Sequence, residues 1–173
     1  MILEQGADKF GFLDLQLLWQ QIMQDATTED KEALHHLLTG LREKQQGMHT
    51  RYINASLRMT GEFFEEYSEV RIPNSPIIQN SIQVAHGGVL ATIADAAMGG
   101  LASRAAPTGK NVVTTNLTMN YIATSKAPIL LAKGHFVHRG KQTFVMSAMI
   151  EDNTGKRLAT ASATFFVIQK RTV

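Results

Sequence analysis

The sequence predicts an α+β protein in which an antiparallel sheet wraps around one central helix, with a helical extension ahead of it. Three observations carry this expectation: helical periodicity through the first fifty residues, a single alanine- and glycine-rich segment without a β-branched run, and a succession of strand-like segments after it.

The elements follow in order. In DLQLLWQQIMQDA the apolar residues Leu15, Leu18, Trp19, Ile22 and Met23 recur at three- and four-residue spacing, which predicts a first helix. TTED then opens a second, from about residue 29 to 46, with Thr27 as its N-cap and Glu29 and Asp30 in the first turn, where the helix dipole favours acids. Gly47 is its expected stop. From about residue 52 the texture changes, and FFEEYSEVRIPNSP alternates before ending in Pro73 and Pro76, as one or two strands and a loop would. VAHGGVLATIADAAMGGLASRAA predicts one helix over about 88–105. Four strands are expected after it, at 112–123, 129–137, 143–151 and 157–167. The turn Asp152-Asn153-Thr154-Gly155 joins the last two, because Asn and Gly tolerate positive φ. The chain thus divides into a helical extension over 1–50 and a sheet-and-helix domain over 51–173.

Composition sets bounds on the chemistry. A chain of 173 residues can bury roughly 70% of its unfolded surface and needs no covalent staple. Having no cysteine, it has neither a disulfide framework, nor a zinc-thiolate site, nor a cysteine nucleophile. No segment approaches the ~20 apolar residues of a membrane span, and MILEQGADKF lacks the basic-then-apolar start of a signal peptide, so the expectation is a cytoplasmic protein with no membrane span. A net charge of +2 with 18% charged residues is too dilute to indicate a duplex nucleic-acid partner, though a small anionic ligand would suit it.

The most informative residue is Asp95, the only charged residue between His86 and Arg104. Its helical neighbours at three and four positions, Ala91, Thr92, Met98 and Gly99, cannot pair with it. A carboxylate in so apolar a helix needs partners from elsewhere or has a functional task. The plainer reading, a cap on a neighbouring helix or a solvent-facing acid, is opposed by the small side chains around it, which imply close approach of another backbone. Just upstream, Gly87 and Gly88 lie at the expected helix start, where amide N–H groups lack intrahelical partners and the dipole is positive. Such a terminus serves as an oxyanion hole, or simply as a tight turn into a helix.

Together Asn80, His86, Gly87, Gly88 and Asp95, in NSIQVAHGGVLATIADAAMGGLA, resemble the active-site segment of the hotdog-fold acyl-CoA thioesterases of the phenylacetic-acid-degradation and thioesterase-superfamily type. VVTTNLTMNYIATSK resembles that family's next strand, with Thr114 at the position facing the catalytic water, and HFVHRGKQTFVMSAMIEDNTGKRLATASATFFV its final hairpins. The likeness spans about residues 52–170. It implies hydrolysis of acyl-CoA thioesters to free acid and CoA, with Asp95 as general base or nucleophile and the Gly87 amide polarising the carbonyl. Asn80 would orient water or the carboxylate, His86 would support the loop and the leaving thiolate, and Thr114 would hold the water. No cofactor is implied, coenzyme A being part of the substrate. The resemblance also implies a homo-oligomer, a dimer or a dimer of dimers, with Asp95 of one subunit facing the Gly87 loop of the other and the helix glycines and alanines packed on the partner's helix.

One departure is that the family commonly has a glycine three residues before the histidine, where this chain has Gln83; the helical extension is also longer than compact members carry. Arg139, Lys141 and Lys133 are candidates for the phosphates of coenzyme A, against the plainer reading of solvated charge. His35 and His36, adjacent on a helix, point apart and are expected exposed or satisfied rather than sharing a metal. Met98, Met119, Met146 and Met149 are expected to fill core or an acyl pocket. Two alternative functions share the fold: a non-catalytic acyl-CoA-sensing module of a transcriptional regulator, and a dehydratase, which pairs its histidine with a differently placed acid. Against the sensor, residues 29–46 mix charges without a basic recognition helix, and a sensor has no need of Asp95.

Overall fold

A computed structural model describes residues 11–170. Two helices come first, α1 (Phe12–Asp25) and α2 (Thr28–Gln45). Thr27 caps α2 as expected, within a reciprocal capping box: its hydroxyl accepts from the Asp30 N–H at 3.1 Å, and the Asp30 carboxylate accepts from the Thr27 N–H at 2.9 Å. Gly47 follows the helix with φ +83°, a conformation in which a side chain would be strained.

A short helix not anticipated from the sequence, α3 (Tyr52–Ser56), packs against α2. The contact is close and polar as well as apolar: buried His36 of α2 donates from Nε2 to the Ser56 carbonyl at 2.9 Å. The same burial holds the imidazole below its ordinary pKa, because the charged form would lose hydration there. His35 is exposed, so the two histidines do point apart.

The expected sheet is present as six antiparallel strands: β1 (Thr60–Phe63), β2 (Tyr67–Pro73), β3 (Lys110–Tyr121), β4 (Ile129–Arg139), β5 (Thr143–Asp152) and β6 (Arg157–Gln169). Their order is β1-β2-β4-β5-β6-β3. Helix α4 (Gly87–Ala105) lies on one face and packs against every strand. This is the hotdog arrangement. Alternation does the work on the sheet side: in β5, Phe144, Met146, Ala148 and Ile150 are buried while the residues between them are half-buried. The hairpin at Asp152 forms as expected, with Gly155 at φ +84°. The Asp152 carboxylate accepts from the Ser125 hydroxyl at 2.5 Å, the Thr154 hydroxyl at 2.6 Å and the N–H groups of Thr154 and Lys156, which together hold it well below the usual carboxylate range.

Two contacts fix α4 on the sheet. Buried Ser68 of β2 donates to the Ala97 carbonyl at 2.7 Å, and Gly134 of β4 lies so close beneath that a Cβ there would stand 3.1 Å from the α4 backbone. The helix face turned to the sheet carries Leu90, Ile93, Ala94, Ala97, Met98, Leu101 and Ala102, all buried. Two glycines of α4 admit aromatic rings of the same chain. A Cβ on Gly100 would meet the Phe63 ring at 2.2 Å, and one on Gly99 the Phe165 ring at 3.1 Å. Met98 and Met146 are core residues, Met119 is packed against the core, and Met149 is half-buried on the sheet's other face.

Candidate active site

The site is built from two places on α4 and the loop that leads into it. The loop begins with a 3-10 turn, Pro76–Ile78, and the His86 N–H donates back to the Ile78 carbonyl at 2.7 Å, closing the segment between. Asn80 organises its interior. Its side-chain oxygen accepts from the N–H groups of Ile82 at 3.1 Å and Val84 at 3.4 Å, while its own backbone pairs with Val84 and Gln83. This leaves the Asn80 amide nitrogen without a protein acceptor among the described residues. Gln83, at the position where the resemblance expects a glycine, adopts φ +58°, the left-handed conformation that glycine takes most readily.

His86 is the N-cap of α4. Its Nδ1 accepts from the Gly88 N–H at 3.0 Å, which places the proton of the neutral ring on Nε2, on an exposed side chain. Val89 and Leu90 donate to the His86 carbonyl. Of the first amides of the helix, the Gly87 N–H alone finds no protein acceptor among the described residues, at the positive end of the helix dipole. Tyr121, not anticipated from the sequence, stands over this turn from the end of β3: its hydroxyl donates to the Gly87 carbonyl at 2.8 Å, and a Cβ on Gly87 would lie 3.1 Å from it. An isolated tyrosine at the end of an alternating strand gives no sign in sequence that it reaches a turn 34 residues earlier.

Asp95 is half-buried on the face of α4 turned away from the sheet core, with Ala91, Thr92, Ala96 and Gly99 around it. Thr114, expected to face the catalytic water, donates its hydroxyl to Asp95 Oδ1 at 2.8 Å. A β-bulge between Thr114 and Asn116 falls at this point of β3. Because one hydroxyl satisfies one oxygen, the carboxylate keeps acceptor capacity for water or substrate.

The other expected cations are not gathered here. Lys133 lies mid-strand and pairs with Glu151 at 3.1 Å. Arg139 donates to Glu66 at 3.3 Å, stacks on the Phe136 ring, and lines a cleft of about 320 Å³ with Arg104, Phe63 and Phe64 at the C-terminal end of α4, opposite the end that carries Gly87. Lys141 is exposed in the β4–β5 turn.

One geometric fact decides what the arrangement can do. Asp95 and Gly87 are eight residues apart on the same helix, which at 1.5 Å per residue separates them by about 12 Å. A reacting carbonyl must sit about 3 Å from both its attacking group and its oxyanion donor, so one chain does not supply both to one bond.

Comparison with known proteins gives the following. Residues 82–159 match the model of the thioesterase superfamily. No curated protein matches the sequence. Among solved structures, a Bacillus halodurans protein crystallised with CoA is 29% identical, with TM-score 0.82 over 88% of this chain and 99% of that one. A Haemophilus influenzae thioesterase is 20% identical, TM-score 0.68, over 73% of this chain and 90% of that one. A Pseudomonas aeruginosa thioesterase is 18% identical, TM-score 0.68, over 74% and 94% respectively. Among the described residues no helix is long and apolar enough to cross a membrane.

Proposed function

We propose, taking residues 82–159 as a thioesterase-superfamily segment carried on a hotdog sheet, that this chain is a thioester hydrolase and that its substrates are acyl-CoA thioesters. The observation that carries the proposal is the pairing of a half-buried, Thr114-held carboxylate at Asp95 with an unengaged N–H at Gly87. Nothing else in hydrolysis needs a resident cofactor, since the second reactant is water.

The 12 Å gap between the two groups is closed by a second copy of the chain. Two α4 helices set antiparallel across a two-fold axis bring Asp95 of one to the Gly87 turn of the other, and generate two equivalent sites. The chain is built for such a neighbour. Strand β3 is an edge of the sheet, eleven of its twelve residues carry no charge, and its residues Val113 to Asn116 are exposed beside the uncovered face of α4. The division into a helical extension before about residue 50 and a catalytic domain after it belongs to the same reading.

In the reaction, Asp95 either takes a proton from water as it attacks the thioester carbonyl or attacks directly, forming an anhydride that water then opens. In both cases the carbonyl oxygen gains negative charge and receives the Gly87 N–H, at the positive end of α4. Thr114 orients the carboxylate and the water. Asn80, its oxygen occupied by the loop, offers its amide nitrogen to the same region. His86 holds the turn through Nδ1 and presents Nε2–H towards the departing sulfur. Collapse expels the CoA thiolate and leaves the free acid when water attacked, or the acyl anhydride of Asp95 when the carboxylate attacked, which water then opens to the free acid and the regenerated carboxylate. Arg139 and Lys141, with Arg104 beside the first, are the cations for the CoA phosphates, and CoA in the crystals of the Bacillus halodurans protein supports this class of substrate.

The test is Asp95→Ala. The variant keeps its circular-dichroism spectrum and oligomeric state but no longer releases free thiol from a panel of acyl-CoA thioesters read with a thiol-reactive dye. Undiminished thiol release would remove Asp95 from the chemistry.

A further inference from the structure

The helical extension leaves two apolar surfaces uncovered in one chain. On α1, Leu15, Leu18, Trp19 and Ile22 recur at helical spacing and are 37–56% exposed. No extensive packing joins α1 to another described element. On the α2–α3 pair, Leu37, Leu41, Tyr52 and Ile53 are 39–72% exposed and line an open cleft of about 310 Å³. Apolar surface of this extent, gathered in two patches rather than scattered, marks interaction sites.

We infer that these two surfaces are made for each other across chains: α1 of one copy docks in the α2–α3 cleft of a second copy, and the exchange is reciprocal. Charge complementarity argues for this occupant. Helix α1 carries Asp14 and Asp25 and no basic residue, whereas the residues that adjoin the cleft lining include Arg42, next to Leu41, Arg51, next to Tyr52, and Lys44 over the Tyr52 ring. Lys44 lies over the Tyr52 ring at 4.1 Å, and neither Arg42 nor Arg51 is in an ion pair among the described residues. A lipid surface is a poorer match, because helices that lie on membranes present Lys and Arg on their polar face and α1 presents only acids. The connection argues for exchange between chains. Ala26 and Thr27, the only residues between α1 and α2, are both extended, with ψ 123° and 172°, the capping box fixes Thr27, and α1 makes no extensive packing with its own α2. The inference does not depend on the thioesterase reading.

The sequence supplies two reporters. Trp19 is the only tryptophan, and there is no cysteine. Variants carrying one cysteine on α1 (Leu18→Cys or Ile22→Cys) are mixed with size-tagged variants carrying one in the cleft (Leu37→Cys or Leu41→Cys) and oxidised. At least one combination is expected to form the mixed covalent dimer about a hundredfold faster than the same α1 variant paired with exposed Asn153→Cys, because docking raises the local thiol concentration from about ten micromolar to about a millimolar. In the cysteine-free chain, Trp19 emission is expected to move to longer wavelength on dilution and in Leu41→Glu, with the circular-dichroism spectrum unchanged. No cross-link above the control would overturn the inference. So would closure only within one chain in a variant carrying both Leu18→Cys and Leu41→Cys, or Trp19 emission indifferent to both dilution and Leu41→Glu.

Discussion

If the thioester is cleaved between two copies, two inactive variants should rescue each other. The first variant is Asp95→Asn, which keeps the shape of the side chain and its contact with Thr114 while removing the base. The second is Gly87→Pro, which deletes a single N–H. Gly87 is the first residue of α4, where proline is accommodated because that N–H has no helical partner, and His86, at φ −63° and ψ 135°, has the extended conformation that precedes proline. The ring must displace Tyr121 slightly, since a Cβ at Gly87 already stands 3.1 Å from it, and Tyr121 is exposed and free to yield. Loss of one oxyanion donor costs about 3–4 kcal/mol in the barrier, or roughly a hundred- to thousandfold in kcat. Each variant alone should therefore be nearly silent. When the two are unfolded together in equal amounts and refolded, half the dimers are mixed, and each of these holds one site with both groups intact. The expected activity is about a quarter of the wild-type value, from the symmetry alone. The assay is thiol release from acyl-CoA, with subunit mixing confirmed by a size tag on one chain. A refolded mixture as silent as its components would mean that the two groups act within one chain, which the 12 Å separation along α4 forbids, and the site as described would be wrong.

Two further outcomes test the loop and the extension. His36→Gln keeps a nitrogen donor for the Ser56 carbonyl without a titrating ring. Because burial depresses the folded-state pKa of His36 below its ordinary 6.5, its contribution is intact above that value and is lost as pH falls through the folded pKa. Chemical denaturation from pH 7 to 5 should therefore show a decline in the wild-type protein that is reduced in His36→Gln; equal slopes would show that this histidine is not responsible. At Gln83 the left-handed backbone predicts opposite signs for two substitutions: Gly neutral to stabilising by about 1 kcal/mol, Val destabilising by about 1–2 kcal/mol. Thermal melts of both variants check this, and a stable Gln83→Val would refute the assigned conformation.

Much of the molecule is legible in the sequence because its signals are local. The cap at Thr27, the stop at Gly47 and the turn at Asp152 each depend on groups within four residues of one another, so residue type and spacing suffice to place them. Strands β4, β5 and β6 likewise form within two residues of the segments expected for them, 129–137, 143–151 and 157–167. Asp95 stood out for the related reason that charge is rare in a helix that fits beneath a sheet. Helix α3 was missed because five residues are too few for a periodicity to show.

What only tertiary structure decided lies in contacts between distant segments. Thr114 reaches Asp95 across 19 residues, Tyr121 reaches Gly87 across 34, and Ser68 reaches Ala97 across 29. No local pattern encodes such pairs, since each side chain obeys the same periodicity whether or not its partner is there. Nor does spacing reveal that Gly99 and Gly100 make room for Phe165 and Phe63 of their own chain. The residue types that chemistry requires can be read along the chain. Their convergence is decided by how α4 is laid across the sheet, because only packing converts separation in sequence into proximity in space.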